Sequence, residues 1–60
     1  MKLEELRIKK HWSKAELHRK SGVSLPIISM IEKGYKKYNK LTIQKLADAL
    51  GVDVKEIENE

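Results

Sequence analysis

The chain has 60 residues, 40% of them hydrophobic and 37% charged, with a formal net charge of +4. A chain this short buries only about 60% of the surface that its unfolded form exposes, so residues 1–60 are read as a single domain with no room for a large catalytic architecture. It has no cysteine, which excludes a disulfide framework and a zinc finger and points to a reducing, cytoplasmic setting.

The hydrophobic spacing is helical nearly throughout, and turn signals cut it into five short pieces, which predicts an all-α fold of five short helices. Leu3, Leu6 and Arg7 share one face of a first helix ending near Lys10. Ser13 with Glu16 forms a capping box that opens a second helix running to about Ser21, with Trp12 as the apolar staple fixing its entry. Gly22 supplies the left-handed residue that ends it. Ser24 is expected to cap a third helix, where Pro26 in the first turn is harmless because its missing amide would have no intrahelical partner. Gly34 closes that helix. After a lysine-rich loop, Ile43, Leu46, Ala47 and Leu50 form the stripe of a fourth helix stopped by Gly51. Asp53 with Glu56 caps a last short helix carrying Ile57. No apolar run approaches the roughly 18 residues of a membrane span, and Glu4 and Glu5 stand where a signal peptide would be apolar.

Charge is unevenly spread. Residues 1–45 hold 12 Lys and Arg against 4 Asp and Glu, whereas residues 46–60 hold 1 against 5. Lys33, Lys36, Lys37 and Lys40 form one basic group, and Lys9, Lys10, Lys14, Arg19 and Lys20 a looser second. Such a field attracts polyanions, although lysines also serve simply to keep a small domain in solution.

Two short helices joined by Ser21-Gly22-Val23-Ser24 fit a helix-turn-helix. The segment Ser13-Lys14-Ala15-Glu16-Leu17, followed by Gly22-Val23-Ser24, Ile28-Ser29-Met30-Ile31-Glu32-Lys33-Gly34 and Leu46-Ala47-Asp48-Ala49-Leu50-Gly51-Val52, resembles the lambda-repressor-like (Cro/C1-type) helix-turn-helix family. The resemblance runs from Leu3 to Ile57. It implies a core containing Leu17, Val23, Ile28 and Ile31, a turn at Gly22, and a structural pair of Arg7 with Glu32 between the first and third helices. It also implies a DNA-binding transcriptional regulator whose third helix enters the major groove. Leu25, Pro26, Ile27 and Met30 would then face the bases, and Ser13, Lys14, Lys33, Lys36, Lys37 and Lys40 the phosphates.

The third helix departs from that pattern. Reading base edges calls for donors and acceptors, and four apolar side chains leave such groups unpaired at roughly 1–3 kcal/mol each. With Ile28 and Ile31 already pointing inward, the helix reads as apolar on nearly all sides, and such a helix is normally covered. The favoured expectation is therefore a non-catalytic binding module that presents its third helix to a protein partner. Leu25, Pro26, Ile27, Met30 and Tyr35 would form the centre, Tyr38 and the lysines the rim, with His18 at the border. Such a surface suits a repressor-like scaffold engineered for binding, or a homodimer joined through the same apolar face, with duplex DNA as the alternative partner. A competing structural reading folds Leu25, Ile27 and Tyr38 back onto the domain's own core.

His18 stands where the family prefers a small residue, so its ring is expected to spread the two helices or to turn outward beside the third. Bordering an apolar interface, it would make binding depend on pH near about 6 to 7; the plainer reading is a partly exposed histidine without a role. His11 reads as a helix end. The two histidines, separated by a turn, do not form a metal site. No cofactor is expected, and no grouping of nucleophile, base and orienter or phosphate-binding glycine loop points to an enzyme.

Overall fold

Five helices follow one another in the computed structural model, which describes residues 1–59: α1 (Leu3–Lys9), α2 (Lys14–Ser21), α3 (Leu25–Glu32), α4 (Lys40–Leu50) and α5 (Val54–Glu58). Glu60, the last residue of the expected domain, lies outside the described residues. The all-α, five-helix arrangement is the one that the spacing predicts, with no strand among the described residues.

Local chemistry sets the helix starts. Ser13 Oγ accepts from the Glu16 N–H at 3.1 Å, and Glu16 Oε1 accepts in return from the Ser13 N–H at 3.3 Å, which satisfies two amides at the head of α2. Glu56 reaches back to the Asp53 N–H at 3.0 Å and opens α5 in the same way. Asn39 Oδ1 accepts from the Thr42 N–H at 2.7 Å, so Lys40 is the first residue of α4 rather than part of the preceding loop. Ser24 departs from expectation: it occupies the cap position of α3, yet its side chain makes no capping bond. Pro26 removes one of the two amides that a cap hydroxyl can take, which weakens the motif.

The helix ends are equally local. Gly22, at φ 75°, donates its N–H to His18 O at 2.9 Å and closes α2. After α3, Gly34 at φ 96° donates to Ile31 O at 2.9 Å and Tyr35 to Met30 O at 3.1 Å, a Schellman turn that needs the left-handed residue glycine adopts most readily.

Every helix contributes to one core: Leu3 from α1, Leu17 from α2, Val23 from the turn, Ile28 and Ile31 from α3, Ile43, Leu46, Ala47 and Leu50 from α4, and Ile57 from α5. α2 packs on both α3 and α4, while α1 bridges α3 and α5. Lys2 N–H donates to Ile57 O at 2.7 Å and fastens the two ends of the domain together. Trp12 packs half-buried against the core beside the α2 cap, in the place of the predicted staple. Arg7 is buried; its Nε donates to Glu32 Oε2 at 2.7 Å and its Nη1 to Trp12 O at 2.7 Å. No described helix is long and apolar enough to cross a membrane.

Candidate nucleic-acid interface

The α2–α3 unit is held by its turn. Ser21 Oγ donates to Leu17 O at 2.6 Å and accepts from the Val23 N–H at 3.1 Å, while Val23 plugs the core at 5% exposure. His18 Nδ1 donates to Val23 O at 2.7 Å, because a carbonyl oxygen can only accept. The expectation that His18 turns outward beside α3 is thus corrected: a backbone acceptor five residues ahead holds its half-buried ring in the turn.

α3 is two-sided. At about 100° per residue, Leu25, Ser29, Lys33, Pro26 and Met30 fall in one arc of about 140°, and Ile27, Ile28, Ile31 and Glu32 fall in the opposite one. The inner arc matches burial: Ile28 and Ile31 are in the core, Ile27 packs half-buried against it, and the Glu32 side chain is 3% exposed. The helix expected to be apolar on nearly all sides therefore turns one of its apolar arcs into the domain's own core. Ile27 leaves the outward face because it packs against the core, on the same arc as Ile31.

On the outer arc Leu25 is 40% and Met30 36% exposed, with Pro26 open to solvent and Ser29 half-buried. Lys14, the first residue of α2, places its Nζ 3.4 Å from Ser29 Oγ and 3.8 Å from Glu32 Oε1. The head of α2 and the outer face of α3 thus form one continuous surface, carrying a lysine at its α2 edge. Lys33, Lys36, Lys37 and Lys40 are exposed along the stretch that follows α3.

Tyr35 stays exposed just after α3, at 58%. Tyr38 does not join it at a common rim. Its ring packs on the core, and its hydroxyl donates to Glu58 Oε2 of α5 at 2.5 Å. Burial, reinforced by that hydrogen bond and the carboxylate's charge, pushes the phenol up to about 12. Lys36 and Lys40 flank Tyr38 around a shallow groove that reaches Val54 and Glu58. Of the residues proposed to fold inward, Ile27 and Tyr38 do so in part and Leu25 does not.

Sequence reasoning passed over two exposed apolar residues, Ile8 at 56% and Leu41 at 62%. Both lie off their helix's buried stripe, so the periodicity that found Leu3 and Ile43 also contained them. It also missed that Lys10 and Lys20 place their ammonium groups 5.7 and 5.0 Å from the Trp12 ring centroid. His11 is exposed after α1 with φ 60°, and no group of three or more His, Cys, Asp or Glu that could hold a metal occurs among the described residues.

A family model described as Helix-turn-helix matches residues 3–57. No curated protein and no solved structure matches the chain. The match spans nearly all of the chain and includes both helices of the locked motif, the Arg7–Glu32 tie and the α4 stripe. The chain belongs to the Cro/C1-type, lambda-repressor-like helix-turn-helix family.

Proposed function

We propose that this domain is a DNA-binding transcriptional regulator that lays the outer arc of α3 in the major groove of duplex DNA. The observation that carries the reading is the joined surface of α2 and α3, with Lys14 beside Ser29 at its α2 edge and Lys33 at the C-terminal cap of α3, and the exposed Lys36, Lys37 and Lys40 in the stretch that follows. Phosphates line both edges of a groove, and basic side chains on both flanks of an inserted helix suit them. Leu25, Pro26 and Met30 would face the bases, while Ile27 supports α3 from within. Membership of a family of DNA-binding regulators supports this reading over a protein-docking one.

The protein-partner reading, or a homodimer through the same face, stands second. The exposure of Leu25, Met30 and Tyr35 favours it. Against it, three of the residues assigned to that face are engaged elsewhere: Ile27 with the core, Tyr38 with Glu58 and His18 with Val23.

Titrating a mixed-sequence duplex at several salt concentrations tests the proposal. Each phosphate neutralised by a lysine lowers the slope of log affinity against log salt by about 0.9, so binding that weakens steeply with salt is expected. Absence of duplex binding at low salt, together with self-association abolished by Met30→Asp, would replace it with the second reading.

A further inference from the structure

We infer that α3 recognises pyrimidine 5-methyl groups, so that within duplex DNA this domain selects thymine-rich sites by apolar contact rather than by hydrogen bonds to base edges. The inference rests on the DNA-binding reading and deepens it.

Of the five side chains on the outer arc of α3, Leu25, Pro26 and Met30 cannot donate a hydrogen bond to a base, and Ser29, between Leu25 and Met30, is half-buried beside Lys14 Nζ at 3.4 Å. Lys33 stands at the far end of the arc, in the C-terminal cap of α3, among the residues suited to phosphate. The N-terminal half of the outer face therefore forms a mostly apolar centre of contact, interrupted by Ser29 and followed by Lys33 at the C-terminal cap.

A major groove offers such a centre only one distinctive feature. Guanine presents the acceptors N7 and O6 and cytosine an amino donor, whereas thymine adds a methyl group at C5. Placing Leu25 or Met30 over either pair strips water from three polar groups, N7, O6 and the N4 amino of G·C or N7, the N6 amino and O4 of A·T, and returns nothing to them, so the methyl alone separates the two pairs. Over an A·T pair the same side chains cover a methyl and bury apolar surface on both partners. Leu25 and Met30 are suited to this because each keeps more than a third of its surface exposed while its backbone is fixed by the packed inner arc. Met30, with an unbranched thioether chain, can also adjust to the methyl's position. The apolar residues that look wrong for a hydrogen-bond code thus fit a code written in methyl groups. Ser29 is the one hydroxyl within the arc, and hydroxyls pair with any base edge, so it adds contact without discrimination.

The test compares duplexes that differ in the methyl alone. Alternating d(AT) and alternating d(AU) duplexes of equal length are titrated with the whole domain, and a second pair carries cytosine or 5-methylcytosine opposite inosine. Burial of one methyl corresponds to about fourfold in affinity, so two contacted methyls give roughly tenfold or more. The d(AT) duplex is expected to bind about tenfold tighter than d(AU), and the 5-methylcytosine duplex tighter than its unmethylated counterpart. Leu25→Ala combined with Met30→Ala should bring both ratios close to one. Lys37→Gln should weaken binding to every duplex alike and leave the ratios intact. Circular dichroism of the double variant checks the fold, which exposed positions on a packed helix should leave in place.

Equal affinity for d(AT) and d(AU), with the steep salt dependence retained, would overturn methyl recognition and leave DNA binding standing. Ratios that survive the double alanine variant would overturn the assignment to Leu25 and Met30. Failure to bind any of these duplexes at low salt would overturn both the inference and the reading on which it rests.

Discussion

Arg7 and Glu32, 25 residues apart in sequence, share a buried ion pair in which the Arg7 Nε–H donates to Glu32 Oε2 at 2.7 Å. A second, longer bond runs from Nη2 to Glu32 Oε1 at 3.4 Å, and Nη1 donates to Trp12 O at 2.7 Å. One guanidinium thereby joins α1, the entry to α2 and the last turn of α3. The hydrogen bond to Glu32 raises the Arg7 pKa against the opposing effect of burial, so the guanidinium stays charged. Its consequence for function is orientation: it fixes the end of α3 relative to α1, and with it the direction in which Leu25 and Met30 point.

Arg7→Ala should accordingly be among the most destabilising single changes in the domain. It leaves the Glu32 carboxylate at 3% exposure without its main partner, a situation that costs about 3–5 kcal/mol. Replacing both residues, Arg7→Met with Glu32→Leu, should recover most of that loss because no charge then remains buried. Urea unfolding midpoints of the single and double variants check this. A single variant as stable as the parent would show that Lys14, 3.8 Å from Glu32, compensates fully.

The two serine caps should differ. Ser13→Ala removes a bonded cap, a loss of about 1 kcal/mol, whereas Ser24→Ala removes a hydroxyl that makes no capping bond and should shift stability by no more than about 0.5 kcal/mol. Thermal unfolding of the two variants distinguishes them, and equal losses would mean that the Ser24 hydroxyl caps α3 in solution.

Tyr38 gives the domain a defined alkaline limit. Its phenol titrates at about 12 in the folded chain against an ordinary value of 10.0, chiefly through burial and then through the bond to Glu58. The folded state thus favours the protonated form: its contribution is fully present below pH 10 and is lost as pH rises through about 12. Tyr38→Phe should lower stability at neutral pH and reduce the further loss between those limits. Unfolding curves for parent and variant across that window test it; identical slopes with pH would rule out the contribution.

What was legible in the sequence is mostly what neighbours along the chain decide. The Ser13–Glu16 box, the left-handed Gly22 and the Ile43, Leu46, Ala47, Leu50 stripe all depend on residues within a few positions of one another, and all appear where the spacing puts them. The Arg7–Glu32 pair spans the chain and was reached only through the family resemblance. The outward surface was read less well. Ile27 and Tyr38 are apolar enough to serve either an interface or the core, and only packing against the assembled core or a bond to Glu58, 20 residues on, decides between them. His18 finds a carbonyl that exists as an acceptor only once the turn has formed. Ser24 has the composition of a cap, yet Pro26 two residues later alters what a cap can hold.

Neutralising one lysine should leave a countable trace. Lys37→Gln is expected to flatten the dependence of log affinity on log salt by about 0.9 if that ammonium neutralises one phosphate. Lys55, which lies on α5 and outside the residues assigned to phosphates, should give no change when replaced by Gln. An equal effect from both would mean that overall charge, rather than a defined surface, attracts the duplex.

Mapping the contact surface residue by residue is the most direct test of the central claim. Amide resonances followed while a mixed-sequence duplex is added should shift at Ser13 and Lys14, at Leu25 and from Ile27 to Met30, and from Lys33 to Lys37, and should stay still at Glu4 and Glu5 of α1. Shifts concentrated on α1 and α5, with α3 unmoved while the complex forms, would contradict the assignment of the α2–α3 unit as the DNA-binding face.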